Sequence, residues 1–162
     1  MSSQQAINLR HGQLSDLPEL QQLFRDTIHA VCQSDYEEAQ LKVWAAGAEN
    51  TTRWHSMLTQ QYVMVALIND SIVGFGTLDK GKYIDMFYVH KDYQNQGIAS
   101  KLYQALEKEA LRQGQTRLTA DVSKTARPFF EKRGFTVVAE QTVVRQGVAL
   151  TNFKMEKFLL EM

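Results

Sequence analysis

Between Tyr62 and Val89 the chain carries three successive runs of strand-forming residues: Tyr62 to Ile68, Ile72 to Leu78 and Tyr83 to Val89. They are parted only by Asn69-Asp70 and by Asp79-Lys80-Gly81-Lys82. β-Branched and aromatic side chains suit a pleated, half-buried surface, and short Asn/Asp/Gly segments supply turns, so the stretch predicts an antiparallel meander. The residues beyond Val89 add a helical layer. Ile98, Leu102, Leu106 and Ala110 recur every four residues, which predicts a helix ending near Gln113-Gly114. Leu118, Ala120 and Val122 then alternate with Thr119 and Asp121. A strand that returns after a helical crossover pairs in parallel with the strand it left, here the one before Gln94.

The flanks show the same periodicities. Ile7 and Leu9 predict a first strand, and Ser15 stands as N-cap before Leu17, Leu20, Leu23, Phe24, Ile28 and Val31 at helical spacing. Gln33-Ser34-Asp35 breaks that pattern, and Leu41, Trp44 and Ala45 mark a second helix. Ala48 to Gln60 reads as a less regular segment. Ala126 to Arg133 predicts a short helix closed by Gly134, and Lys124, Arg127, Lys132 and Arg133 are expected within one helix, on what reads as a solvated face. Phe135 to Ala139 begins the tail strands, with a final hairpin around Arg145-Gln146-Gly147. No repeat or linker divides the 162 residues, so one domain over 1–162 is expected.

Composition excludes several function classes. Lysine plus arginine and aspartate plus glutamate both total 18, so no general field attracts nucleic acid or an anionic membrane. A single cysteine, Cys32, allows no internal disulfide, and four dispersed histidines offer no metal pattern. Met1 to Asn8 is polar, and the longest apolar run, Tyr62 to Ile68, falls far short of the roughly 20 residues that span a bilayer. A cytoplasmic protein without metal, nucleic-acid or membrane partners is the expectation.

The most informative segment lies between the third strand and the long helix: Gln94-Asn95-Gln96-Gly97-Ile98-Ala99. A helix start presents backbone N–H groups without intrahelical acceptors, and the helix dipole adds partial positive charge, so phosphate oxygens are natural partners. Gly97 allows close backbone approach, Ala99 keeps the next position small, and Gln94 brings a side-chain amide. By itself the spacing also fits a bare helix start.

The wider segment from Phe87-Tyr88-Val89 through Gln94-Asn95-Gln96-Gly97-Ile98-Ala99-Ser100 to Leu102 closely resembles the acetyl-CoA motif of GCN5-related N-acetyltransferases. Ser123-Lys124-Thr125-Ala126-Arg127-Pro128-Phe129-Phe130-Glu131 and the closing Gly134-Phe135 resemble that family's next strand-to-helix motif. Ile84-Asp85-Met86, Pro128-Phe129-Phe130-Glu131 and Thr151-Asn152-Phe153 resemble a bacterial subgroup of the family. The resemblance implies an α/β fold, α+β by segregation. Its expected form is a central mixed, mostly antiparallel twisted sheet of about six to seven strands flanked by about four helices, with a parallel pair at the coenzyme cleft. It also implies acetyl-CoA as cosubstrate, a small-molecule or peptide amine as acceptor, and a homodimer at the level of a family expectation. Phe87, Tyr88 and Val89 would meet the pantetheine arm, Gln96 to Ser100 the pyrophosphate, and Ser123, Phe129 and Phe130 the remaining border of the coenzyme. Core packing is the competing role for both phenylalanines.

An ammonium acceptor must lose a proton before its nitrogen attacks a thioester, so a base is useful. Asp85 is the first candidate, a carboxylate in an apolar strand at a level where family members place a glutamate or histidine; a structural hydrogen-bonding role competes with it. Tyr83, two residues earlier, is the second, with cross-strand packing as its other role. The family's usual tyrosine acid is replaced by Phe130, which has no proton to give, leaving water, Tyr88 or Ser123 to serve the departing thiolate, or no dedicated acid at all. Ser123 stands where asparagine is common and doubles as a cap for the following helix. An acetyl-CoA-binding regulatory protein without efficient transfer is the alternative that Phe130 keeps open.

Overall fold

The computed structural model describes residues 6–159, so the first five residues of the polar N-terminal stretch lie outside it. Seven strands form one sheet: β1 (Asn8–His11), β2 (Tyr62–Ile68), β3 (Ser71–Asp79), β4 (Tyr83–Val89), β5 (Arg117–Ser123), β6 (Thr136–Arg145) and β7 (Val148–Phe158). The order across it is β1-β2-β3-β4-β5-β7-β6, antiparallel throughout except for the β4–β5 pair. Among the described residues five α-helices accompany the sheet: α1 (Leu17–Val31), α2 (Glu38–Ala45), α3 (Thr51–Gln60), α4 (Ile98–Arg112) and α5 (Arg127–Lys132).

The meander forms as expected. Asn69 and Asp70 both take positive φ, 50° and 66°, the geometry of the tight turn whose twist matches the β2–β3 hairpin. In α4 the four predicted core residues Ile98, Leu102, Leu106 and Ala110 are all buried, and the helix lies directly against β3. Glycine suits that approach: a Cβ on Gly74 would stand 3.1 Å from Ile98 Cγ2, and one on Gly76 3.1 Å from Leu106 Cδ1, closer than ordinary contact. Helices α1, α2 and α3 share a second cluster with the inward side chains of β2, β3 and β4, centred on Leu20, Phe24, Ile28, Trp54 and Phe75. Each such large apolar side chain contributes about 1.5–3 kcal/mol on leaving water.

Three local expectations are corrected. Ser15 does not cap α1: a short 3-10 turn, Leu14–Asp16, precedes the helix, and Asp16 itself accepts from the Gln13 N–H at 2.8 Å while pairing with Arg10. Ala48 to Gln60 is not irregular, since Thr51–Gln60 is a helix started by the Asn50 side chain accepting from Arg53 N–H at 3.2 Å and burying Trp54, Met57 and Leu58. Of the four basic residues near α5, only Arg127 and Lys132 belong to the helix; Lys124 precedes it and Arg133 follows it.

The feature that positions the site lies in β4. Gly76 pairs with Phe87 but Leu78 with Ile84, so Thr77 faces Asp85 and Met86 together. The Thr77 hydroxyl fills the irregularity by accepting from Met86 N–H at 3.0 Å. On the other edge, β4 meets β5 only at Tyr83↔Thr119 and Ile84↔Ala120. From Asp85 and Asp121 onward the parallel strands separate, and the β4 backbone from Phe87 to Val89 is paired on its β3 side alone.

Candidate active site

Three connected cavities follow the opening between β4 and β5. The first, about 440 Å³, is lined among others by Phe87, Val89, Gly97, Ser100, Phe129 and Arg133. A middle chamber touches Ile84, Asp85, Phe87, Ser123 and Phe130. An outer cavity of about 610 Å³ is lined by Arg53, Tyr83, Asp85, Asp121 and Arg145. Trp44 and Tyr88 border all three, so the cavities lie side by side from the start of α4 to the outer cavity.

At the first cavity the chain enters α4 through two left-handed residues, Asn95 with φ 60° and Gly97 with φ 86°. Lys101 N–H is the first to return to the turn, donating to Gly97 O at 3.1 Å. Among the described residues the N–H groups of Gln96 to Ser100 meet no backbone acceptor, and a Cβ on Gly97 would touch nothing within 4 Å. These are the attributes of an anion cradle: free donors, a positive helix end and no side chain in the way. A cation stands next to it, since the Arg133 guanidinium lies over the Phe129 ring, 4.8 Å from its centroid, and donates to Ser100 Oγ. The residues present therefore fit a pyrophosphate.

Gln94 does something other than face an anion. Its amide donates back to Val89 O at 2.6 Å and His90 O at 3.3 Å, tying the end of β4 to the turn. Thr27 of α1 also donates to Val89 O, at 3.3 Å. Asn95, Ile98 and Ala99 line the first cavity with Gly97 and Ser100, whereas Gln96 does not. Phe130 packs in the core between Phe87 and Phe135, yet its edge reaches the first and middle cavities. Ser123 Oγ accepts from Ala126 N–H at 3.1 Å, so it fixes the turn into α5 while lining the same two cavities. Cys32 borders the first cavity too, buried, with its thiol pushed up to about 11 by that burial.

Around the outer cavity the polar groups are already in partnership. Asp85 accepts from Arg53 Nη2 at 2.8 Å and from Gln61 Nε2 at 2.9 Å, with its side chain 12 % exposed. Tyr83 donates to Asp121 Oδ2 at 2.9 Å, and Gln141 donates to Asp121 Oδ1 at 2.9 Å. Burial, and then the neighbouring Asp121 carboxylate, hold the Tyr83 phenol well above its ordinary range, so its proton stays in place at neutral pH. Burial raises the Tyr88 phenol in the same direction.

Arg53, Gln61, Asp121 and Arg145 were not singled out by sequence reasoning. Arg53 and Gln61 had a signal: Trp54, Met57 and Leu58 repeat at helical spacing after Asn50, and the helix they imply carries Arg53 on its first turn and ends beside Gln61. Asp121 joins the site through the parallel β4–β5 pairing, and Arg145 only through the order β5-β7-β6.

The wall between α1 and α2 is tied down by Tyr36, whose hydroxyl donates to Thr151 O at 2.7 Å and accepts from Lys124 N–H at 2.9 Å. Tyr36→Phe removes the hydroxyl that pairs both backbone groups in a part-buried place and is expected to cost about 1 kcal/mol of stability, read as a lower urea midpoint. An unchanged midpoint would show that the tie carries no weight.

Among the described residues no helix is long and apolar enough to cross a membrane, and no group of three His, Cys, Asp or Glu is placed to hold a metal ion. A family model described as "Acetyltransferase (GNAT) domain" matches residues 32–157. An Escherichia coli K12 protein named uncharacterized N-acetyltransferase YafP is 36% identical over 149 residues, covering 92% of this chain and 94% of that one. A crystal structure described as a GCN5-related N-acetyltransferase from Rhodopseudomonas palustris superposes with a TM-score of 0.92 at 33% identity, covering 98% of this chain and 99% of that one. The PaiA N-acetyltransferase of Thermoplasma acidophilum, solved in complex with coenzyme A, shares the fold with a TM-score of 0.78 at 19% identity, over 94% of this chain and 99% of that one.

Proposed function

Because the chain belongs to the GCN5-related N-acetyltransferase (GNAT) family, we propose that it works as one acetyltransferase domain that moves the acetyl group of acetyl-CoA to a primary amine of a small molecule or peptide. The observation that carries this reading is the separation of β4 from β5 after only two paired residues. It leaves an unpaired β4 edge for an amide-bearing arm, between an anion cradle on one side and a polar cavity on the other.

In this reading the N–H groups of Gln96 to Ser100, with Arg133 beside them, bind the pyrophosphate, and the backbone of Phe87 to Val89 aligns the pantetheine. Phe129 and the edge of Phe130 flank the same arm. The acceptor enters from the outer cavity. Its nitrogen loses a proton to Asp85, directly or through water, and attacks the thioester carbon; the C–N bond forms, the C–S bond breaks, and the thiolate takes a proton. Asp85 is the better placed of the two candidate bases, because it is a carboxylate whereas the Tyr83 phenol keeps its proton and gives its hydrogen bond to Asp121. Arg53 and Gln61 then act as positioning residues that hold the Asp85 carboxylate at the mouth of the middle chamber. With phenylalanine at 130, the hydroxyls that line both the first and middle cavities are those of Tyr88 and Ser123, and Ser123 Oγ accepts from Ala126 N–H while leaving its own proton free to donate.

The test is acceptor-dependent release of CoA. Purified protein is incubated with acetyl-CoA and a panel of amines, free thiol is followed, and acetylated products are identified by mass spectrometry. Release that rises with one amine and yields its N-acetyl product supports the reading. Tight acetyl-CoA binding with no acceptor-dependent release across the panel overturns it.

A further inference from the structure

The outer cavity holds two carboxylates and two guanidinium groups, Asp85, Asp121, Arg53 and Arg145, and is balanced by formal count. Its hydrogen bonding is not balanced. Asp85 accepts from Arg53 and Gln61, and Asp121 accepts from Tyr83 and Gln141, so all four carboxylate oxygens have a donor. Arg53 is engaged by Asp85. Neither Asp121 nor Arg145 makes an ion pair among the described residues, but Arg145 alone of the four also makes no side-chain hydrogen bond there. The charged group left with its hydrogen-bonding capacity unused is a guanidinium, a partner for an anion and not for an amine.

Arg145 is exposed, but its backbone is held at the end of a hairpin. It is the last residue of β6, paired with Val148 across the Gln146-Gly147 turn, whose residues take φ of 49° and 77°. It borders both the middle chamber and the outer cavity, on the same strand as Val143 and Gln141. Val143, Leu150 and the Trp44 ring give this part of the cavity apolar walls, which strengthen a charge-assisted hydrogen bond made beside them. A guanidinium is a planar fork of donors that matches a carboxylate in two parallel bonds.

We propose that the acceptor is an amine that also carries a carboxylate, an amino-acid-type substrate, and that Arg145 holds this carboxylate while the amine turns toward the opening between β4 and β5. The proposal rests on the transferase reading and deepens it by naming the class of acceptor. It makes Arg145 a specificity-determining residue in the cavity that the Asp85–Arg53 pair also lines.

Matched sets of acceptors test it. Phenylalanine, leucine and methionine are each compared with their amides and their decarboxylated amines, and phosphoethanolamine with ethanolamine, using wild-type, Arg145→Gln and Arg145→Lys proteins. At least one amino acid is expected to exceed its amide and decarboxylated amine at least tenfold in kcat/KM, with the difference lying in KM. Arg145→Gln should lower the rate with that amino acid at least tenfold more than with its decarboxylated amine, and Arg145→Lys should restore part of the loss. Equal rates within every wild-type set, an equal loss for all acceptors in Arg145→Gln, or a preference for phosphoethanolamine over every amino acid overturns the proposal. If no amine releases CoA, the transferase reading fails, and calorimetry on the CoA-loaded protein decides the carboxylate site by itself. Binding of an amino acid at least tenfold tighter than its decarboxylated amine, lost in Arg145→Gln, supports the site; equal binding overturns it.

Discussion

Gly97→Trp is expected to raise the Kd for acetyl-CoA by at least about 100-fold, which corresponds to losing one or two charge-assisted hydrogen bonds at about 1.5–3 kcal/mol each. The substitution should leave the protein folded. Space beside Gly97 is open, so the new side chain meets no protein atom near its Cβ, and the cost of φ 86° to a residue with a Cβ is about 1–2 kcal/mol. The indole would instead cover the N–H groups at the start of α4. Calorimetric titration with acetyl-CoA, beside far-UV circular dichroism as the control for folding, reads the two effects separately. Wild-type affinity in a folded Gly97→Trp protein would place the coenzyme somewhere other than this turn.

Asp85→Asn is expected to lower kcat by about 100-fold, the lower end of what a positioned base supplies. Shape and size are retained, and the amide oxygen can still accept from Arg53, so folding should change little. The Kd for acetyl-CoA should stay within about twofold, because the cradle at α4 and the carboxylate at β4 bind different ends of the reaction. A fall in kcat with unchanged coenzyme binding is the signature of a group that acts on the acceptor's proton. Turnover at the wild-type level would reduce Asp85 to a partner of Arg53 and Gln61.

The residues that announced the fold are those whose roles are local. Four apolar residues spaced by four define α4, and Asn69-Asp70 defines its hairpin, because the relevant contacts lie within a turn or along one face. The segment 51–60 hid its helix for a physical reason: it opens on two threonines and an arginine and buries only Trp54, Met57 and Leu58, so its period spans little more than one turn. Ser15 looked like a cap because the 3-10 turn ahead of α1, held by Asp16, leaves no trace in apolar spacing. At the site, Gly97 was legible from its place between strand and helix. The partners of Asp85 were not, for Arg53 lies 32 residues away and Gln61 24, and only the folded sheet brings them together. The link from Tyr83 to Asp121, 38 residues apart, likewise needs the crossover through α4 before it exists.

That β4 and β5 share so few rungs has a mechanical meaning. Strands β1 to β4 form one leaf and β5, β7 and β6 another, pinned together at Tyr83–Thr119 and Ile84–Ala120 with Leu78, Leu106 and Leu118 packed near the pin. A pantetheine arm laid between the leaves would act as a splint across the part of the sheet that the chain leaves unstitched. Coenzyme occupancy and the cohesion of the two leaves then become linked quantities, and whatever loosens one weakens the other.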